Sequence, residues 1–360
     1  MKQLYWEETV SVWPELAPYH NDIHIIYAGL SPERSILNRT VEHIQAELEA
    51  NIALGKRVMF YSLEESLIKP VLYLLQEVVN RTSCDPANIV LTTSAVDGAE
   101  VYRQLCATEG WTRAMLIASG YYFERTNFHT DLLAVPEYQA VEKTKLFVSF
   151  NRVPRSHRSK LLAKMFELDL VSKAYYSYEG SFNSDKLGIW GADRDILEPY
   201  KDQLPLHLDI TEDSVNPSSF TSDDVAYHTN SYFSLVTETC FDYTSLAQSS
   251  IFISEKTYRP ICYKHPFILA ARPFTLKALK LAGYKTFDPW INEAYDTMSN
   301  DAARLDFIAE EIARLSKLTL NDWITWQKQL APIVEYNYDV FRTKTAFGIT
   351  KQLDQLLNLA

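Results

Sequence analysis

Short apolar runs and stretches of 3.6-residue apolar spacing take turns along most of the chain. Residues 23–27, 57–61, 89–91 and 114–118 are apolar runs of strand length, each followed by a polar or glycine-containing turn. Between the first two, Leu37, Val41, Ile44, Leu48 and Ile52 keep helical spacing, and Gly55 is placed to close the helix. Residues 71–79 are apolar nearly all round, which predicts a well-buried helix, and 96–107 predict the next one. Strands and helices joined in this alternation by short loops form a parallel, helix-covered sheet. Residues 1–20 read as an irregular lead-in and 30–34 as a loop.

A connecting segment, 123–142, has weak periodicity and contains Pro136, and a second series then begins. It predicts strands at 145–150, 174–178, 232–236, 266–269 and 285–287, with helices at 161–170 and 274–282. Gly283 would stop the latter helix. Residues 179–224 are polar, with Pro199, Pro205 and Pro217, and read as a long irregular insertion. Residues 288–296 read as a loop. Leu305, Ile308, Ile312 and Leu315 mark an amphipathic helix, and 320–329 and 341–357 predict two more. The expected fold class is α/β, with two Rossmann-like domains facing a cleft: 1–140 and 141–334, the terminal helix at 335–360 packing back on the first.

Hydrophobic residues make up 47% of the 360, enough for full cores. A net charge of −11 and a pI near 5.3 argue against a broad basic surface for nucleic acid or membrane, while leaving room for a local basic cleft. Cys84, Cys106, Cys240 and Cys262 are widely separated and read as free thiols of a reducing compartment. The acidic, aromatic N-terminus lacks a signal-peptide pattern, and no apolar run approaches the roughly 18 residues of a membrane span, so a cytoplasmic protein is expected. Aromatic residues at 13% suit sugar or base stacking and equally an aromatic core. The histidines have no metal-ligand spacing. Asp193-Arg194-Asp195 spells D-x-D, but in an irregular stretch with no adjacent apolar strand, so no metal site is expected.

The chemistry gathers at the predicted carboxyl ends of strands, where open parallel sheets bind ligands. Residues 151–158 carry Arg152, Arg155 and Arg158 between a strand and a helix. Arginines fork onto phosphate oxygens, so this loop suits a diphosphate. The alternative, a solvated basic helix start, sets cations against the helix dipole with no anion present. Ser254 is a good N-cap for a second helix, which Pro260 limits or kinks. Its free amides, with Lys256 and Arg259, favour an anion, while Glu255 suits ribose hydroxyls. Neither a P-loop nor a G-x-G-x-x-G fingerprint occurs. Glu64 and Glu65 at one strand end, and then Asp97 after another, are the candidates for a catalytic base. Each is also an ordinary helix-start carboxylate.

Phe150-Asn151 followed by Arg158, then Val236-Thr237-Glu238, then Ser254-Glu255-Lys256, resembles the donor-site order of GDP-fucose-dependent fucosyltransferases. Residues 254–261, SEKTYRPI, are similar to the S-E-K-T-[WFY]-[KR]-P-I stretch of often phage-encoded glycosyltransferase-like proteins. Residues 283–296, GYKTFDPWINEAYD, are similar to the segment that follows in that group. The resemblance covers about 145–296 and implies a GT-B architecture, with nucleotide held by the second domain and acceptor by the first. It implies a donor site of Asn151, Arg152, Arg155, Arg158, Glu238, Ser254, Glu255, Lys256, Thr257 and Arg259. Within it, Glu255 would hold the ribose, and Lys256 and a loop arginine the phosphates. The expected activity is metal-independent transfer of a sugar from a nucleotide-diphosphate donor, with no other cofactor. The acceptor hydroxyl would belong to a glycan or, for a phage enzyme, a hydroxymethylated DNA base. The alternative is a nucleotide or nucleotide-sugar binding protein without catalysis. The sequence does not set the oligomeric state.

Overall fold

A computed structural model of the chain describes residues 21–28, 35–62, 69–119, 135–183, 187–208, 222–243 and 250–343. It divides into two compact units, Met1–Thr126 with Thr244–Ile253 and Lys344–Ala360, and Asn127–Tyr243 with Ser254–Thr343. Both are α/β and Rossmann-like, each built on a four-stranded parallel sheet.

In the first unit, β1 (Ile23–Tyr27), β2 (Arg57–Ser62), β3 (Ile89–Thr93) and β4 (Leu116–Ser119) lie in chain order. Helices α1 (Val41–Ile52), α2 (Lys69–Arg81) and α3 (Gly98–Glu109) connect the series. Successive strand residues face opposite sides. Ile26, Val58, Phe60, Ile89 and Leu91 accordingly share one buried cluster with Ile44, Leu48, Leu75, Val79 and Leu105 of the helices. Leu37 is not part of α1. It lies in a preceding 3-10 turn, 45% exposed, because Thr40 has extended backbone and its hydroxyl accepts from His43 N, starting the helix afresh. Gly55 ends this region at φ +79, as its position suggested. The polar tie of the unit is Glu47, which accepts from both His24 and Arg39.

The second unit has β5 (Lys145–Asn151), β6 (Ala174–Tyr178), β7 (Ser231–Thr237) and β8 (Phe267–Ala270), in the order β6-β5-β7-β8. Helices α4 (Ser156–Glu167), α5 (Gly191–Leu197), α6 (Ser222–Thr229), α7 (Glu255–Cys262), α8 (Thr275–Leu281), α9 (Asp301–Leu315) and α10 (Leu320–Thr343) accompany it.

Several expectations are corrected here. Helix α4 starts five residues before position 161, because its first turn buries His157 and Arg158, which break the apolar pattern. The stretch 179–224 is not wholly irregular: it holds α5, a 3-10 turn and α6, short polar helices with too few buried residues to show a period. Residues 285–287 form no strand. Side chains satisfy their backbone instead, with Lys285 N donating to Asn337 Oδ1 and Phe287 N to Glu293 Oε1. Residues 320–329 and the start of 341–357 belong to one helix, α10, which passes through Pro332. Its buried stripe of Trp323, Gln327, Leu330, Val334, Asn337 and Phe341 continues unbroken past the proline. Residues 344–357 lie outside the described residues, as do 1–20, 30–34, 123–134 and 209–221. Among the described residues, no helix is long and apolar enough to cross a membrane.

Candidate functional site

The strand order of the second unit reverses direction between β5 and β7. From β5 the chain moves one way to β6, and from β7 the other way to β8. The crevice beyond the carboxyl ends of two such strands is where doubly wound sheets bind ligands. Here β5 ends at Asn151 and runs into α4, while β7 ends at Thr237 and leads to Glu238.

Asn151 is fully buried and its amide is committed to the scaffold. Its Oδ1 accepts from Thr237 Oγ1 at 2.5 Å and its Nδ2 donates to Ser149 Oγ at 3.0 Å, tying β5 to β7. Arg158, on the first turn of α4, is 3% exposed. Nη1 donates to Val153 O at 2.9 Å and Nη2 to Thr237 O at 3.0 Å, while its buried Nε has no hydrogen-bond partner among the described residues. Burial, and then the neighbouring Arg155, pull its pKa down to about 10. The guanidinium stays charged at neutral pH and gains from an anion. His157 beside it donates from Nε2 to Glu238 O at 3.0 Å and stacks on Phe241. Burial, followed by the charge of Arg158, lowers its pKa to about 3, so the ring is neutral.

Glu238 shapes the other wall from behind. It is fully buried and accepts four hydrogen bonds: from Ser254 N and Oγ at 3.0 and 2.7 Å, Thr257 Oγ1 at 2.6 Å and Thr239 N at 3.1 Å. A carboxylate at a helix N-terminus satisfies orphan donors and the dipole together, so Glu238 anchors the start of α7. Ser254 caps that helix through its hydroxyl, which accepts from Lys256 N at 3.3 Å. Thr257 is likewise buried and bound to Glu238. Lys256 Nζ pairs with Glu255 Oε1 at 2.5 Å, and Arg259 lies over the Phe150 ring with its guanidinium carbon 5.6 Å from the centroid.

These pieces enclose a pocket of about 530 Å³ within the second unit. Arg152 and Arg155 from the β5–α4 connection and Arg158 from the first turn of α4 line it together with Glu255, Lys256 and Arg259 from α7. The remaining wall is largely apolar or aromatic, including Val148, Phe150, Val236, Pro260 and the buried ring of His228. One site thus combines concentrated positive charge, a single lining carboxylate and an apolar floor. Asn151, Glu238, Ser254 and Thr257 do not line it and serve as its frame. His228, which has no spacing partner, escaped the sequence reading, and Phe150 entered it as part of the Phe150-Asn151 stretch of the resemblance but not as a site residue.

Glu64 and Glu65 lie outside the described residues. Asp97, in the first unit, is half-buried at the start of α3, and its Oδ1 accepts from Ile251 N at 2.8 Å. The D-x-D residues sit on α5, where Asp193 accepts from Ser156 Oγ at 2.9 Å. Among the described residues, no group of three or more His, Cys, Asp or Glu is placed to hold a metal ion.

No protein-family model matches the chain, and no curated protein sequence does. Solved structures similar to it include an α,α-trehalose-6-phosphate synthase from Burkholderia multivorans. That match has TM-score 0.45 and 12% identity, and covers 97% of this chain and 73% of that one. A UDP-forming α,α-trehalose-phosphate synthase from Burkholderia xenovorans, in complex with glucose-6-phosphate, is similar at TM-score 0.45 and 15% identity. There the cover is 97% of this chain and 78% of that one. Likeness of this degree concerns the course of the chain, and what the pocket can do follows from its own residues.

Proposed function

We propose that this protein is a glycosyltransferase of GT-B type that moves a sugar from a nucleotide-diphosphate donor to an acceptor hydroxyl. The observation that carries this reading is the convergence of Arg158, Lys256 and Arg259 on one pocket at the β5/β7 switch point. The apolar floor suits a nucleobase, Glu255 suits the ribose hydroxyls, and the cations suit the pyrophosphate. Glycosyl transfer leaves negative charge on the departing diphosphate. Fixed cations in a partly buried pocket favour that charge as it develops, so side chains supply the leaving-group stabilisation without a metal. An inverting transfer needs a base for the acceptor hydroxyl, for which Glu64 or Glu65 is proposed first and Asp97 second. A glycan or a hydroxymethylated DNA base is the proposed acceptor, and a phage enzyme the proposed context.

The test is turnover of UDP- and GDP-sugars, with candidate acceptors, by the wild type and by Glu64→Ala and Glu65→Ala. A transferase releases nucleotide in the wild type and loses at least a hundredfold in the variant that lacks the base. Binding without turnover in every version would instead identify a nucleotide-sugar binding protein.

A further inference from the structure

The pocket carries more positive charge than a sugar nucleotide calls for. Its buried or half-buried charges are Arg158, Arg259 and Lys256, set against Glu255. Three cations against one carboxylate leave two positive charges, which match the pyrophosphate bridge with one negative charge on each phosphate. Arg152 and Arg155 remain. Both line the same pocket, both are exposed, and neither side chain has a hydrogen bond or ion pair among the described residues.

Their position makes the surplus costly. Arg155 is the residue preceding the first turn of α4 and makes no capping hydrogen bond. Cations there oppose the positive end of the helix dipole. Arg155 also acts on Arg158 as a like charge, which helps to hold that guanidinium below its ordinary pKa. Arg155 and Arg158 repel each other across the start of α4, and a bound anion relieves that repulsion.

Resting on the donor-site reading above, we propose that Arg152 and Arg155 hold a second anionic group, a carboxylate or phosphate borne by one of the two sugars. It could sit on the donor, as in a nucleotide-linked hexuronic acid, or on a phosphorylated sugar acceptor. The recognising chemistry is the same in both cases: two exposed guanidinium forks lining the same pocket as the less exposed cations that take the diphosphate.

The test is calorimetric titration of the wild type and of the double variant Arg152→Gln/Arg155→Gln at one fixed salt concentration. The donor arm compares UDP-glucuronate with UDP-glucose, and a GDP-linked uronate with its neutral hexose counterpart. The acceptor arm compares a hexose 6-phosphate with the free hexose, added to protein saturated with UDP or GDP. The inference expects the wild type to prefer the acidic ligand at least tenfold in one arm, and that arm names the source. It also expects the double variant to lose this preference, its affinity for the acidic ligand falling at least tenfold further than its affinity for plain diphosphate; a variant that keeps the preference overturns the inference. A preference below tenfold in both arms overturns it. So does a loss of plain diphosphate affinity in the double variant as large as its loss of affinity for the acidic ligand, which would assign both arginines to the pyrophosphate. Failure of the wild type to bind any diphosphate would remove the donor-site reading itself, and this inference with it.

Discussion

Replacing Glu238 with alanine removes the carboxylate that anchors the start of α7, and the structure sets the size of the effect. Four donors lose their acceptor at once, and the site is sealed from solvent. The hydroxyls of Ser254 and Thr257 can rotate toward other acceptors, whereas the amides of Ser254 and Thr239 are fixed by the backbone. A buried donor left unsatisfied costs about 1–3 kcal/mol. Two of them, lessened if water enters the vacated space, give a loss of about 2–5 kcal/mol. Glu238→Gln keeps one acceptor oxygen and turns an NH2 toward the other donors, so its expected loss is smaller, about 1–3 kcal/mol. Urea denaturation followed by tryptophan fluorescence reads the difference, since four of the seven tryptophans, Trp190, Trp290, Trp323 and Trp326, belong to the second unit. The midpoint should fall with the slope unchanged. An alanine variant within 0.5 kcal/mol of the wild type would refute the reasoning, since the hydrogen-bond set could not then be what holds α7 (about 0.5 kcal/mol being the scatter of ordinary surface changes).

Acid should act on each unit through different groups. Hydrogen bonding from His24, and then from Arg39, holds the Glu47 carboxyl at about 2 in place of its ordinary 4.5. The unfolded chain therefore takes up that proton first, so the stabilisation is full above about pH 4.5 and is lost as pH falls from there toward 2. Its size is about 1–3 kcal/mol after allowance for partial exposure, and Glu47→Gln should flatten the stability profile of the first unit across that range. In the second unit, His157 and His265 are buried and neutral, with pKa values lowered by burial to about 3. His265 donates to Ser231 O and accepts from Ser234 Oγ, a pattern that fits the neutral ring. Their folded pKa values lie below the unfolded 6.5, so stability is full above pH 6.5 and declines below it. The slope reaches at most about 1.4 kcal/mol per pH unit for each histidine. Urea midpoints that stay level between pH 7.5 and 5 would count against this, and His265→Gln should reduce the slope.

The strands were legible because each is a concentrated apolar run. The bounds of β1 and β6 read off directly, and the core of β7 did too. The basic connection and the Ser254 cap were equally plain, since arginine spacing and a serine before a polar turn are local signals. What escaped the sequence depends on tertiary partners. Arg158 looks like a loop residue until two carbonyls from separate elements hold it inside a helix. Glu238 looks like a ligand contact until its oxygens meet the donors around α7. Asn151 similarly spends its amide on Ser149 and Thr237. The sequence separates 320–329 from 341–357, yet the buried stripe continues through Pro332 and makes them one helix. The short helices α5 and α6 carry too little apolar pattern to be seen in advance.

Titration of UDP and GDP against the wild type, Lys256→Ala and Arg158→Ala tests the central claim most directly, with thermal melting to confirm that each variant is folded. Lys256 is partly exposed, so its loss should spare the fold, whereas the buried Arg158 also braces Val153 and Thr237. The account predicts that at least one nucleotide binds the wild type and that each folded variant binds it about tenfold or more weakly, as loss of a charge-assisted contact to phosphate implies. Unchanged affinity in both variants would contradict it.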